Sequence, residues 1–262
     1  MKTILPGIET PGTKGDLFVD PTDMSLRFYA DDRLGGFKTP GFTRNSPPVP
    51  GPGTLKTSSG DVGFYGEVVN TDLITPQVLC ETLGVTNGSL VGADSPWLKF
   101  KYKDNTLYTT KKGIRTGISW AQLYAKGLIY GIDGPGPYPY PSGTSVNQKV
   151  LLSLQGHTFL VRCFKGADVD PVSFNDTSAY QAPSGSLNSE WHLLMNGLTN
   201  GTLGSYSAAD LGITNATHTW CQESNGTLRM LRGVNNTTDL YMRSVGDTST
   251  YRGFRPVLEL VE

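Results

Sequence analysis

Thr219-Trp220-Cys221-Gln222-Glu223, Leu228-Arg229-Met230-Leu231-Arg232-Gly233, Arg243-Ser244 and Gly253-Phe254-Arg255-Pro256 follow one another in the last third of a 262-residue chain. Short apolar runs parted by turn residues read as strands of a loop-rich domain. Gly233 and Gly253 allow tight turns. Arg232 and Arg255 are suited to bidentate bonds with buried carbonyls or with Glu223, which would order chain that has little regular structure. On this reading Arg232, Gly233, Gly253, Arg255 and Glu223 hold the fold and carry no catalysis.

Upstream of this stretch the signals are local. Thr75-Pro76, then Gln77 to Leu83, then Gly84, reads as an N-cap, a proline at the first helical position, a short helix and a glycine stop. Leu98, Phe100 and Tyr102 alternate with lysines, lead to Asp104-Asn105 and resume at 106–109, a hairpin. The lysines in that run read as the exposed side of a half-buried strand. Ser119 with Gln122 three residues on is a capping box, and Gly127 closes that helix. Gly134 to Pro141 reads as a rigid surface loop. Strands are expected at 149–154 and 157–164, and a third short helix over 189–196, closed by Gly197. The class is α+β, with short helices beside small antiparallel sheets.

The first 75 residues differ. Residues 1–16 and 35–66 are rich in Gly and Pro, as in Pro47-Pro48-Val49-Pro50-Gly51-Pro52-Gly53, which excludes helix and central strand. Apolar islands at Leu17-Phe18-Val19, Leu26-Arg27-Phe28-Tyr29 and Phe64-Tyr65 break the tract. Solvated linkers rarely carry such aromatics. The expectation is an extended anchoring arm over 1–75 that takes its shape from neighbouring subunits, and a folded domain over 76–262.

Composition narrows the function. With 22 basic and 23 acidic side chains the net charge is −1, and no basic stripe is present to neutralise a row of phosphates, so nucleic acid is not an expected partner. No window approaches 18 apolar residues, so no membrane insertion is expected. The start, Met1 to Gly7, breaks off before an apolar run forms, so no secretory signal is expected. Cys80, Cys163 and Cys221 are scattered without a CxxC, and His157, His192 and His218 form no HxxxH, so no zinc site, metal or cofactor is expected and the cysteines read as buried hydrophobes. His218 and Cys221 are three apart, in a segment that gives no reason for a poised thiolate. Seven Asn-x-Ser/Thr sequons, at Asn87, Asn175, Asn200, Asn215, Asn225, Asn235 and Asn236, are expected to be unmodified.

The succession quoted first resembles the closing half of the C-type-lectin-like fold, in the branch that contains formylglycine-generating enzymes and variable phage adhesins: a strand with Arg-x-x-Arg-Gly, a variable stretch with Arg-Ser, and a terminal Gly-Phe-Arg strand. The resemblance implies that Arg229, Arg243, Phe254, Trp191 and Trp220 also hold the fold and are not catalytic. A wider set, Pro96-Trp97-Leu98-Lys99-Phe100, Leu107-Tyr108, Lys111-Lys112, Ile118-Ser119-Trp120, Ser189-Glu190-Trp191, Thr219 to Glu223 and Gly253 to Leu260, resembles a module of tailed-bacteriophage virion proteins, tail fibres among them. The resemblance implies a C-type-lectin-like domain in a virion component made in the host cytoplasm: a tail fibre, collar, baseplate or decoration subunit. It implies a homo-oligomer, a trimer by preference, anchored to other virion proteins through residues 1–75. A host surface glycan or protein, or a neighbouring subunit, would meet the loops between Arg232 and Arg252. There Asn235, Asn236, Asp239, Tyr241, Asp247 and Tyr251 offer hydrogen bonds and flat aromatic faces. Two enzymatic alternatives fit the sequence less well. Formylglycine generation, as the resemblance implies, uses a pair of copper-binding cysteines, and Cys221 has no partner after it. A glycan-degrading tail protein would show a longer, repeat-rich chain. A non-enzymatic role is expected.

Overall fold

The computed structural model describes residues 47–137, 145–174, 186–213 and 217–261, together with the backbone of three short strands before them. The chain divides into two compact units, Met1–Pro48 and Val49–Glu262. In the first, β1 (Thr3–Ile4) runs parallel to β2 (Leu17–Val19), and β2 pairs antiparallel with β3 (Leu26–Phe28). Two of the apolar islands therefore form strands of one small sheet.

The second unit opens with β4 (Thr57–Ser59), β5 (Val62–Val68), α1 (Pro76–Thr82), β6 (Ser89–Leu90), β7 (Trp97–Tyr102), β8 (Asn105–Thr110), β9 (Arg115–Thr116) and α2 (Trp120–Tyr124). It continues with β10 (Val150–Leu154), β11 (His157–Arg162), β12 (His218–Ser224), β13 (Arg229–Arg232), β14 (Leu240–Arg243), β15 (Arg252–Phe254) and β16 (Val257–Leu260). Among the described residues these make two sheets with few short helices. One is antiparallel throughout, in the order β10-β11-β16-β8-β7-β5-β4. The other is mixed, in the order β14-β13-β12-β15-β9-β6, with β12 and β15 parallel. No helix of the described residues is long and apolar enough to cross a membrane.

The central strands are apolar on both faces. Trp97, Tyr108 and Leu258 feed one core cluster, while their neighbours Leu98, Leu107 and Val257 feed another. A period of two places successive side chains on opposite faces, so such strands must be covered on both sides. Chain returning from the far end closes the sheet: β16 lies between β11 and β8.

The helix starts follow their caps. The Thr75 hydroxyl accepts from the Val78 N–H at 3.2 Å, and Gly84 takes φ 62° just past α1. Both arms of the Ser119–Gln122 box are made, at 3.2 and 2.9 Å. The hairpin turns at Lys103-Asp104, with Lys103 at φ 54°. The third helix differs from expectation. It is a π-helical turn over His192–Asn196 that runs on through Gly197 to Thr199. Gly197 is helical, and a Cβ there would lie 3.0 Å from the Leu203 side chain. Close packing, and not a helix stop, is what the glycine serves.

The boundary expected at residue 75 moves to Pro48. β5 pairs along its length with β7, and the proline-rich stretch ahead of it is strapped onto the same unit. The Tyr108 hydroxyl donates to the Pro50 carbonyl at 2.9 Å, and the Lys99 ammonium donates to the Pro52 carbonyl at 2.8 Å. Gly51, at φ 75°, lets the strap pass where a Cβ would meet the Val68 side chain. Lys99 also departs from expectation. Only 3% of it is exposed, and its ammonium stands 4.9 Å from the Tyr65 ring centre and 5.7 Å from that of Tyr108. Burial lowers its pKa. The strap covers a lysine that the alternation assigned to solvent. Of the loop expected at 134–141, residues 138–141 lie outside the described residues, as do the sequons' Asn175 and Asn215.

Candidate recognition cleft

Parallel pairing sets His218 of β12 opposite Arg252 of β15. The Arg252 guanidinium reaches His218 Nδ1 at 2.6 Å. Arginine only donates, so Nδ1 accepts and the ring proton sits on Nε2. Burial, then the Arg252 and Arg243 cations, push the His218 pKa down to about 4, and the ring is neutral at pH 7. Tyr251, one residue before β15, stacks on one side of this imidazole at 6.2 Å and 27°. Tyr241 of β14 lies 5.7 Å from it at 32°, and the Arg243 guanidinium sits 4.2 Å from the Tyr241 ring centre. Asp247 ties the column together, accepting from Arg252 Nε at 2.9 Å and from the Ser249 N–H at 2.9 Å, with Arg243 Nε at 4.0 Å. Burial raises its pKa, but these donors and cations outweigh that and hold it below the usual value.

This column stands at one wall of a cleft of about 440 Å³. Tyr251 and Val91, each about half exposed, line it together with Lys112, Thr116, Thr217 and Thr250. Gly212, at φ 64°, lies against the Lys112 methylenes, where a Cβ would come within 3.1 Å. Gly212 thereby supports the lysine at the cleft. The volume falls within the ~300–1,000 Å³ span of small-molecule sites.

The six residues expected to form a binding surface separate into two groups. Tyr241, Asp247 and Tyr251 come together in the stacked column, with Tyr241 buried and Tyr251 at the cleft. Asn235, Asn236 and Asp239 are elsewhere, in a turn that consumes its own polar groups. Asn236 Oδ1 accepts from the Thr238 N–H (2.8 Å), the Thr238 hydroxyl (2.6 Å) and the Asp239 N–H (3.0 Å). Asp239 is buried, and its carboxylate accepts from Asn235.

The residues assigned to the framework are buried, apart from the partly exposed Arg243, but several act differently from expectation. Gly233 takes φ 74° and leaves room for the Trp191 ring, 2.9 Å from where a Cβ would stand. Gly253 sits within β15, not in a turn; a Cβ there would strike the Arg115 carbonyl at 2.7 Å and that of His218 at 3.1 Å. Arg229 lies over the Trp120 ring at 4.6 Å. The Trp191 and Trp220 indoles donate to the Thr237 and Ile118 carbonyls, each at 2.7 Å. Arg232 donates to the Thr238 carbonyl at 3.0 Å, and Arg255 to the Leu211 carbonyl. Neither makes the expected bidentate pair. Glu223 instead accepts from the Gly166 N–H at 2.8 Å, and burial pushes its pKa up to about 8. Arg162 does make a bidentate pair, gripping the buried Glu190 at 2.8 and 2.7 Å, and also meets Glu259 at 2.9 Å.

All three cysteines are free and buried. Burial raises the Cys163 and Cys221 pKa values, which keeps both as thiols. Cys221 Sγ faces the Thr219 carbonyl at 3.7 Å while His218 Nδ1 is taken by Arg252. Comparison with protein-family models, with curated proteins and with solved structures finds no match.

Proposed function

We propose that this chain is a non-enzymatic structural component of a tailed-bacteriophage virion: a tail-fibre, collar, baseplate or decoration subunit. Its first unit joins it to other virion proteins, and its second presents a C-type-lectin-like recognition surface to host glycan or protein. A trimer is the assembly this reading favours. One observation carries it. Apart from the partly exposed Arg243, the arginines, glycines and tryptophans that resemble the lectin-like module serve as buried framework, and they leave a surface cleft walled by the Tyr251 ring. A scaffold that spends its polar residues on holding loops, and its exposed aromatic ring on a cleft, is built for binding.

The test is incorporation into particles. A chain lacking residues 1–48 retains the whole second unit. Particles assembled with it are expected to lack the protein in an immunoblot of purified virions. Incorporation at the normal copy number overturns the anchoring role.

A further inference from the structure

We infer that the cleft beside Tyr251 binds a carboxylated sugar, with the ring of the sugar packed on the tyrosine face and its carboxylate met by Lys112. The inference rests on the recognition role proposed above and assigns that role a place and a ligand class.

Tyr251 is half exposed, and its ring stacks on His218, which Arg252 bonds while Asp247 holds Arg252 in turn. An aromatic side chain fixed before binding loses little conformational freedom when a ligand arrives. The weakly polar C–H face of a pyranose suits such a ring, and Val91 extends the apolar wall. Thr116, Thr217 and Thr250 line the same cleft; the Thr217 hydroxyl donates to the Gly212 carbonyl and keeps its lone pairs to accept from a sugar hydroxyl.

Charge selects among sugars. Lys112 is the one charged residue among the described residues that line the cleft. It makes no ion pair among those residues. Asp210 lies within its field, but that carboxylate is held by the Ser207 N–H at 2.8 Å and the Ser207 hydroxyl at 2.6 Å. His218 is neutral and adds no second cation. A single ammonium among hydroxyls and an aromatic face fits one carboxylate on a sugar. It does not fit a phosphate chain, which would call for several cations. Hexuronic and sialic acids share this chemistry.

The experiment is titration of the purified full-length chain with glucuronic acid, N-acetylneuraminic acid and glucose, followed by calorimetry or ligand-observed NMR. Saturable binding is expected for at least one of the two acids, with glucose several-fold weaker. Tyr251→Ala is expected to weaken that acid by about tenfold, the scale of losing one aromatic contact. Lys112→Gln is expected to remove the preference for the acid over glucose. Both side chains are exposed, and circular dichroism of each variant confirms that the fold is kept. No saturable binding of either acid overturns the inference, as does binding that Tyr251→Ala leaves unchanged or glucose binding as tight as the acid's. Loss of the truncated chain from particles together with silent titrations would leave the virion role standing and remove only the sugar.

Discussion

At the scale of single residues, burial decides which charges are tolerated and in what form. Glu223 is enclosed, with a backbone N–H in place of a guanidinium, and burial raises its pKa from 4.5 to about 8. His218 moves the other way, from 6.5 to about 4. Between pH 4.5 and 8 the folded chain keeps a proton on Glu223 that the unfolded chain has released, so stability falls as pH rises. Between pH 6.5 and 4 the unfolded chain binds a proton on His218 that the folded chain refuses, so stability falls as pH falls. From pH 6.5 to 8 only Glu223 of the two contributes. Urea unfolding is therefore expected to give a free energy that declines across that window, and Glu223→Gln is expected to flatten it. Equal slopes in the two proteins would remove the assignment. Arg162 was missed from sequence because its partners are 28 and 97 residues away and nothing local marks them.

At the scale of elements, short helices stand or fall by their ends. α2 has five residues, too few for propensity to sustain it, and both of its capping-box bonds are made. Ser119→Ala removes the acceptor for the Gln122 N–H and is expected to cost about 1 kcal/mol in denaturant unfolding. No change in the midpoint would show that packing of Trp120 and Leu123 alone holds the helix. The capping box and the Thr75-Pro76 start were legible because their partners lie within four residues. The hairpin was legible because its strands adjoin. The role of Gly253 was not, since its need for a missing Cβ comes from Arg115 and His218, on two other strands.

At the scale of the whole molecule, the position of the boundary is a prediction about folding. Removing residues 1–48 leaves β4 and β5 in the antiparallel sheet and keeps the strap that bonds to Tyr108 and Lys99. That chain is expected to be soluble and to melt cooperatively. Removing residues 1–75 deletes β5, exposes Leu98 and Phe100 of the next strand and uncovers Lys99. It is expected to yield aggregated or molten protein by near-ultraviolet circular dichroism. If the shorter chain melts as cooperatively as the longer one, the strap and β5 are dispensable and the boundary returns to residue 75.

Sequence by itself determined the α+β class with short strands and short helices, the helix starts, the hairpin and the burial of the cysteines. Each is set by neighbours a few residues away or by plain apolar character, and both are visible in one dimension. Tertiary structure alone decided the rest: that prolines strap a lysine under cover, that β16 closes the sheet from its middle, and that Val91, Lys112, Thr217 and Tyr251 meet at one cleft. Such meetings depend on which strands pair across a hundred residues or more. Pairing is chosen by the burial of both faces of a sheet at once, and no local run of residues carries that information.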